Sequence, residues 1–478
     1  MSEKIPVSSV NAGKTVRNMA VSVFAQIISL LTSFIVGLIV PKFIPELEYS
    51  YWQMYVLYVS YVGVLHFGLL DGIVLRYAKY NYDELDKPRI RSQFQLLVLA
   101  TSFIGAATTL ITIPFTEGAA RLIVPLVCIG MVTKNIVTYT FYTYQITNRI
   151  NQYALLVIAQ RMTYACLVAV LLLLRVQAFY WYCIADLCSD LVGFLISIFH
   201  NKGLYFRRGL PVPEAMREAR QNISCGVMLL IANFSSNFLV GGAKMMIQWH
   251  WDVLIFGKVS FAFSVSNLFL SFVSAVSIVL FPSLKRMREK ELPDLYGRIR
   301  QLISPLLFFV MLFYFPLCKI LAIWLPKYEP SLLFLGILLP IIVFSSKVSL
   351  LTNNYLKAYR KEKHMLVINV VCVVCGMALF ALCAYGLDNL ELLLYGLVLM
   401  IMVRSVASEI AVSRVIERRF VWEYVGEALM TAGFIACVRC LSLWIGFAVY
   451  ACLFVFYLFF HRKAVKTAFQ AIARLLKK

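Results

Sequence analysis

The sequence predicts an all-α polytopic membrane protein with about fourteen transmembrane helices, arranged as two six-helix lobes related by a parallel pseudo-repeat plus two C-terminal helices. Of the 478 residues, 61% are hydrophobic and 14% are charged, whereas a soluble domain averages about 45–50% apolar and about 25% charged residues. The apolar residues also fall into separate segments of about 20 residues, the length that a helix needs to cross the hydrocarbon. A sequence repeat supplies the third observation.

The repeat relates the stretch Asn18–Gly37 to the stretch Asn222–Gly241. Identical residues pair at Asn18/Asn222, Val23/Val227, Ile27/Ile231, Phe34/Phe238, Val36/Val240 and Gly37/Gly241. Because the copies lie in the first and seventh predicted spans, an offset of six, both cross in the same direction, which predicts parallel repeats with a substrate site between them near the midplane. Steps of three and four residues also place polar side chains on one face of each helix. These polar stripes are Asn18, Ser22, Gln26, Ser29 and Ser33 in the first copy and Asn222, Asn233 and Asn237 in the second.

The predicted spans follow from the apolar segments taken in order. They cover residues 17–40, 51–75, 92–114, 120–145, 153–174, 179–199, 223–245, 253–281, 303–325, 331–356, 365–387, 390–412, 424–440 and 442–460. The corresponding domains are an N-terminal lobe at 1–200, a cytoplasmic linker at 201–222, a C-terminal lobe at 223–412, two further helices at 413–461 and a basic amphipathic tail at 462–478. Phe469, Ile472, Leu475 and Leu476 form the apolar face predicted for the tail.

The distribution of positive charge predicts the orientation of the chain. A net charge of +21 would indicate a nucleic-acid partner in a soluble protein. Here the Lys and Arg residues lie mainly in alternate loops, on the side that also holds both termini. Since positive charge marks the cytoplasmic side, both termini are predicted to be cytoplasmic and no nucleic acid is expected. The opposite loops are short, and their only basic residues are Lys42, Arg121, Arg175, Lys327 and Arg439.

Ionisable residues inside the predicted spans are the candidates for a substrate site, because a charge in the bilayer normally faces a cavity or a partner. Counted from the cytoplasmic ends of the spans, similar depths are found for Lys134, Arg161, Asp186 and Asp190 in the first lobe and for Lys347 and Arg404 in the second. The repeat makes Lys347 the counterpart of Lys134, so we expect two pseudo-symmetric lysines that face one cavity. Such cations suit a phosphate or pyrophosphate group.

The sequence leaves the role of the first-lobe charges open. Arg161 either binds an anionic substrate group or forms an ion pair with Asp186 or Asp190 that only holds two neighbouring helices together. For Lys134 and Lys347, no acid other than these aspartates is expected at a matching depth.

Two further sets of charges have alternative interpretations. Lys244 continues the stripe of Asn233 and Asn237, and it either faces the cavity or extends to the outer head groups. Asp71 and Arg76, near the inner end of the second span, form either a cytoplasmic gate pair or separate interfacial charges.

Signals for catalysis or metal binding are absent from the sequence. The five histidines are scattered without the spacing of metal ligands, and no phosphate-binding loop, nucleophile elbow or zinc-protease motif occurs. Cys372 and Cys375 form a CxxC, but no second Cys or His pair accompanies it. We therefore expect no catalytic residue, no metal and no cofactor.

The second span ends in Phe67-Gly68-Leu69-Leu70-Asp71-Gly72-Ile73-Val74-Leu75-Arg76-Tyr77. Together with the opening helix, the number of spans and the short outer loops, this stretch resembles the polysaccharide flippases of the MOP (MATE-like) superfamily. The resemblance implies a V-shaped pair of six-helix lobes in a bacterial cytoplasmic membrane. By alternating access, they would move undecaprenyl-pyrophosphate-linked oligosaccharide for O-antigen, lipopolysaccharide or other cell-surface polysaccharide biosynthesis.

The resemblance also implies partners and residue roles. The expected partners are the polyprenyl-pyrophosphate-linked oligosaccharide, membrane lipid and the glycan polymerase machinery. Cationic residues would neutralise the pyrophosphate, and the polar stripes would bind sugar hydroxyls. The cations expected to do so are Lys134, Arg161, Lys347 and Arg404.

Two other functions compete with the flippase. A cation-coupled multidrug exporter of the MATE type would favour acidic residues in its cavity, for which Asp186, Asp190 and Glu409 qualify. A membrane enzyme such as a glycan polymerase or ligase would be expected to carry a long outer loop with catalytic residues, and the outer loops here are short.

Overall fold

The computed structural model describes residues 12–78, 80–285, 292–359, 361–418 and 420–476. Every regular element among these residues is a helix. The described residues contain 12 helices that are long and apolar enough to cross a membrane, or up to 14 spans if each of two bent helix pairs counts as one. The predicted all-α fold with about fourteen spans is therefore confirmed, and the chain is a multi-pass membrane protein.

Internal contacts divide the chain into two compact units. Unit 1 contains the described residues up to Ile44 and the segment Tyr51–Leu230. A π-helical turn, Ile35–Ile39, joins its first two helices. The helices of unit 1 are α1 (Ala12–Phe34), α2 (Val40–Phe43), most of α3 (Glu46–Val59), α4 (Leu69–Tyr77), α5 (Lys87–Thr112), α6 (Ala120–Ile146), α7 (Ile150–Leu173), α8 (Phe179–Asn201) and the first part of α9 (Val212–His250).

Unit 2 contains Pro45–Ser50 and the described residues from Ile231 onward. A second π-helical turn, Val348–Thr352, interrupts the tenth predicted span of the chain, which lies in this unit. After α9, the helices are α10 (Val253–Lys285), α11 (Leu292–Leu312), α12 (Tyr314–Trp324), α13 (Glu329–Leu338), α14 (Ile341–Lys347), α15 (Asn353–Ala358), α16 (Glu362–Ala381), α17 (Leu390–Val415), α18 (Val421–Cys440) and α19 (Leu443–Leu476).

Two of the predicted spans are bent rather than straight. In the second span, Glu46–His66 and Leu69–Tyr77 meet at 55°, because Phe67 and Gly68 have positive φ angles of 53° and 86° that end the helix. In the tenth span, Pro326–Leu338 and Ile341–Ala358 meet at 44°. Pro340 lies at this bend and lacks the N–H that a continuous helix needs.

Local sequence explains where other helices begin and how they pack. The Asp86 side chain accepts a hydrogen bond from the backbone N–H of Arg89 and caps α5, which satisfies one free donor at the helix start. In the core of unit 1, the ring of Phe94 lies 4.9 Å from that of Tyr139 and 5.0 Å from that of Tyr205. Such edge and tilted ring contacts stabilise the packing of α5 on α6 in addition to the stability gained from burying apolar surface.

The structure differs in detail from the predicted linker and tail. Helix α9 begins at Val212, so the second half of the predicted linker 201–222 is helical. The predicted lobe boundaries and the parallel repeat stay predictions. Helix α19 continues from the last span to Leu476, and the side chains beyond Arg462 that form the predicted amphipathic face lie outside the described residues.

Candidate functional site

A lysine and two aspartates form a charge cluster inside unit 1. Lys134 lies on α6, and Asp186 and Asp190 lie one turn apart on α8. The ammonium of Lys134 is 2.9 Å from Oδ1 of Asp186 and 2.8 Å from Oδ2 of Asp190. The Lys134 side chain is 25% exposed, whereas that of Asp190 is 0% exposed. The structure thus brings together three of the residues that the sequence places at one depth.

Neutral donors complete this cluster. The Tyr55 hydroxyl donates to Oδ2 of Asp186 at 3.0 Å, and the Thr133 hydroxyl donates to Oδ2 of Asp190 at 3.2 Å. The Gln160 amide donates to the other oxygen of Asp190. Two carboxylates share one ammonium, and with these donors each of the four carboxylate oxygens accepts at least one hydrogen bond. Hydroxyl and amide residues are common in such helices, so the sequence carried no signal for these three.

Arg161 lies outside the cluster, which corrects the expectation that it pairs with Asp186 or Asp190. Its side chain is exposed on α7, and no carboxylate of the described residues lies within ion-pair distance of it. Lys134 takes the expected place because it reaches both aspartates from α6.

A second charge network lies inside unit 2 and holds Lys347. The Lys347 ammonium contacts a carboxylate oxygen of Glu409 and lies 2.5 Å from Oε2 of Glu427. Arg300 binds the same two acids, with Nε 2.7 Å from Oε2 of Glu409 and Nη2 3.1 Å from Oε1 of Glu427. The four side chains are at most 2% exposed. Their formal charges cancel, and the network joins α11, α14, α17 and α18.

The expectation that Lys347 meets no further acid at its depth is wrong. Glu409 and Glu427 stand in apolar runs of α17 and α18, which is the sequence signal of an intramembrane partner. Arg300 follows the basic stretch before the ninth span, where a loop cation is the ordinary expectation. The substrate-binding role of Lys347 and its equivalence to Lys134 stay predictions.

Two further cations of unit 2 have no acidic partner among the described residues. Arg404 on α17 is 4% exposed, and its Nη1 donates to the backbone oxygen of Ser236 on α9. Within the described part of the chain, its Nε has no hydrogen-bond partner. Lys244 is half-buried on α9, with its ammonium 5.5 Å from the ring centre of Phe263 and 5.9 Å from that of Phe256. An anion bound beside either cation would supply its missing countercharge.

The two polar stripes lie on α9 and α1, and on both helices a side chain donates to the carbonyl oxygen four residues earlier. On α9, Asn233 and Asn237 are exposed and flank the residue whose backbone oxygen Arg404 contacts. On α1, Gln26, Ser29 and Ser33 are partly exposed. The two α1 serine hydroxyls donate to carbonyl oxygens four residues earlier in the helix, at 3.0 and 2.9 Å, so their acceptor lone pairs remain for a ligand.

Asp71 and Arg76 do not form a gate pair with each other, which corrects that alternative. Arg76 pairs with Glu218 of α9 and donates to the side-chain oxygen of Asn222 at 2.5 Å. The Tyr77 hydroxyl also donates to Glu218, at 2.6 Å. Asp71 lies instead 3.7 Å from the His66 ring nitrogen Nε2. The sequence places Glu218 in a linker and gave no reason to pair it with the second span.

Arg76→Ala is expected to lower the free energy of unfolding by about 1–2 kcal/mol, because charge-assisted hydrogen bonds contribute about 1.5–3 kcal/mol and this one is partly screened by solvent. The Arg76 side chain is 26% exposed. The midpoint of unfolding in mixed detergent micelles would measure the loss. Arg220→Ala, which removes an exposed arginine of α9, is the control. Equal midpoints for both variants would contradict the expectation.

Comparison with known proteins identifies the fold. No protein-family model matches the chain, and no curated protein gives a significant match. An inward-facing multidrug resistance MATE family transporter of the MOP superfamily is similar with a TM-score of 0.60 and 12% identity, over 82% of this chain and 94% of that chain. The lipid II flippase MurJ, in an inward closed conformation, gives a TM-score of 0.63 with 10% identity, over 94% of this chain and 100% of that chain.

A MATE protein in complex with MaL6 is also similar, with a TM-score of 0.56 and 13% identity over 84% of this chain and 95% of that chain. Sequence identities this low support a statement about the fold alone. The chain therefore has the fold of the membrane transporters of the MOP superfamily.

Proposed function

We propose that this protein is a flippase that moves a polyprenyl-pyrophosphate-linked oligosaccharide across a bacterial cytoplasmic membrane by alternating access. The observation that carries the proposal is Arg404, a buried arginine with no carboxylate partner among the described residues. A charged residue near the centre of a membrane helix costs about 2.5–3.5 kcal/mol on insertion scales, so it is a functional-site candidate by default. A phosphate or pyrophosphate group offers the planar guanidinium a matching set of acceptors.

The surroundings of Arg404 support an anionic glycan as the ligand. The guanidinium contacts α9 at Ser236, between Asn233 and Asn237, which are exposed and carry amide groups suited to sugar hydroxyls. Lys244 lies about two turns further along the same helix and adds a second cation. Pyrophosphate and sugar groups of one substrate would therefore find donors within one segment of α9.

The acids of unit 2 support the same assignment. Glu409 and Glu427 are both occupied by Lys347 and Arg300, which leaves neither free for a cationic ligand. We therefore assign Lys347 to the stability of unit 2. In unit 1, Lys134 is shared by two aspartates, so Arg161, which is exposed on α7, remains the candidate for anion binding there. The similarity to the lipid II flippase, which extends over 94% of this chain against 82% and 84% for the two MATE structures, adds support at the level of the fold.

Transport of a fluorescent polyprenyl-pyrophosphate-linked oligosaccharide into proteoliposomes would test the proposal. We expect Arg404→Gln to reduce the initial rate at least about tenfold, since a charge-assisted hydrogen bond contributes about 1.5–3 kcal/mol. Arg404→Lys keeps the charge but loses the fork geometry and should fall between. Lys319→Gln, at an exposed cation of α12, is the matched control. Wild-type flux in a well-folded Arg404→Gln variant would overturn the assignment.

The multidrug exporter remains the second candidate, and the cluster of unit 1 is the observation that favours it. There, Asp186 and Asp190 share the single cation Lys134, so the formal net charge of the cluster is −1. Such a charge suits a cationic substrate. Accumulation of a cationic dye by the same proteoliposomes, lost in Asp186→Asn, together with no flux of the lipid-linked glycan, would favour the exporter over the flippase.

A further inference from the structure

The second span breaks at a backbone conformation that helices avoid. Between the 3₁₀ turn Val62–His66 and the start of α4, Phe67 has a φ of 53° and Gly68 a φ of 86°. Glycine adopts such angles without strain, but a left-handed non-glycine residue costs about 1–2 kcal/mol. The conformation of Phe67 therefore needs support from its surroundings.

His66 provides part of that support. Its side chain is buried, and its ring nitrogen Nδ1 accepts a hydrogen bond from the backbone N–H of Gly68 at 3.1 Å. An acceptor nitrogen carries no proton. The ring in this structure is therefore neutral, with its proton on Nε2, which lies 3.7 Å from Oδ2 of Asp71.

Asp71 lies in the first turn of α4 and is 3% exposed. Within the described part of the chain, its Oδ2 has no hydrogen-bond partner. The helix N-terminus favours a negative charge at this position, but burial of an incompletely paired carboxylate is costly. With a neutral imidazole beside it, the pair carries a charge of −1 in buried surroundings.

The polar groups described around the pair do not neutralise this negative charge. On α6, Tyr142 interacts electrostatically with Asp71, and the Asn135 amide donates to the backbone oxygen of Val62. On α9, the carboxylate of Glu218 is already paired with Arg76 and Tyr77 at the far end of α4.

We propose that His66 and Asp71 form a proton-binding site whose occupancy controls the bend of the second span. A proton taken from a hydronium ion would leave the hydrogen bond from Gly68 intact if it bound to Oδ2 of Asp71. On Nδ1 of His66, the site proposed, it makes an imidazolium that forms a pair of no net charge with the Asp71 carboxylate. The new N–H cannot accept, so the hydrogen bond from Gly68 is lost. Protonation is thereby coupled to the left-handed turn at Phe67 and Gly68.

The packing of α4 gives this turn a mechanical consequence inside unit 1. A Cβ atom added to Gly72 would lie 1.9 Å from the backbone oxygen of Asn222, and one added to Gly226 would lie 2.0 Å from the backbone oxygen of Gly68. The two helix backbones are therefore in direct contact, and a change at Gly68 acts on the first part of α9.

Hydrogen–deuterium exchange of the full-length protein in nanodiscs tests the proposal at the amide of Gly68. The protection factor, corrected for intrinsic exchange, is measured from neutral pH to well below the range in which an exposed histidine titrates, because burial opposes protonation of the His66 ring. We expect it to fall about fivefold on acidification in the wild-type protein, the effect of losing one ordinary hydrogen bond. His66→Asn places an amide oxygen near the position of Nδ1 but cannot titrate, so its protection should not change with pH.

Two further variants complete the test. His200→Asn removes an exposed histidine whose Nδ1 contacts its own helix, and the pH response at Gly68 should persist. Asp71→Asn removes the countercharge, so the response should move to lower pH; this variant also covers the case in which His66→Asn does not fold. A pH-independent Gly68 amide in the wild type, or an unchanged response in His66→Asn or Asp71→Asn, would overturn the proposal.

Discussion

Glu427→Ala is expected to lower the free energy of unfolding by about 3–5 kcal/mol, the cost of leaving a buried charge without its partner. The Glu427 carboxylate contacts Lys347 and Arg300 and accepts a hydrogen bond from the Ser304 hydroxyl at 2.9 Å. In the alanine variant, Lys347 and Arg300 share the single acid Glu409. One positive charge is then uncompensated among side chains that are at most 2% exposed. The measurement is the unfolding midpoint in mixed detergent micelles.

Two companion variants separate charge from shape. Glu423→Ala removes an acid one turn earlier on α18 that lies outside the network, and it should change the midpoint little. The double variant Lys347→Met with Glu427→Gln restores neutrality, so its loss should be smaller than the sum of the single losses. If Glu427→Ala is no more destabilising than Glu423→Ala, the network does not hold unit 2 together as described.

Gly226→Ala is expected to cost at least about 3 kcal/mol, at or above the upper end of ordinary overpacking, because the new methyl group meets backbone rather than a flexible side chain. Its Cβ would lie 2.0 Å from the oxygen of Gly68 and 2.3 Å from the nitrogen of Gly72. Alanine is otherwise the better helix former by about 1 kcal/mol, so any destabilisation comes from the clash between α4 and α9.

Gly193→Ala is the matched control for this steric effect. Gly193 lies inside α8 of the same unit, and an added Cβ would meet its nearest neighbour, a methyl carbon of Leu156, at an ordinary 3.8 Å. We expect this variant to be as stable as the wild type or slightly more stable. Equal unfolding midpoints for the Gly193 and Gly226 variants would show that α4 and α9 are not in close contact.

The charge clusters show where sequence reasoning reached its limit. Counting along the fourth and sixth predicted spans places Lys134 and the two aspartates at one depth, but the same count also placed Arg161 with them. Of the two partners of Lys347, Glu409 lies within the predicted C-terminal lobe, whereas Glu427 is 80 positions away and belongs to a helix outside it. Likewise, Arg76 and Glu218 are separated by 142 positions. The depth of a residue in the membrane is one coordinate, whereas an ion pair forms only if the two side chains are close in all three dimensions.

The break in the second span illustrates a different limit. The glycines of Phe67–Gly72 are visible in the sequence, but glycine alone does not specify a bend. The left-handed turn depends on the His66 ring, which accepts from Gly68, and on the close approach of α9 to Gly72. Both contacts require the folded unit.

The sequence by itself determined the membrane fold, the number of spans and the division between the last two helices, which falls between Cys440 and Leu443. The reason is that a bilayer demands about 20 apolar residues per helix and internal satisfaction of the backbone, which a linear pattern records. Only the tertiary structure decided which buried charges are neutralised and which remain for a ligand. That outcome separates Lys347, held by two glutamates, from Arg404, which has no acid beside it among the described residues.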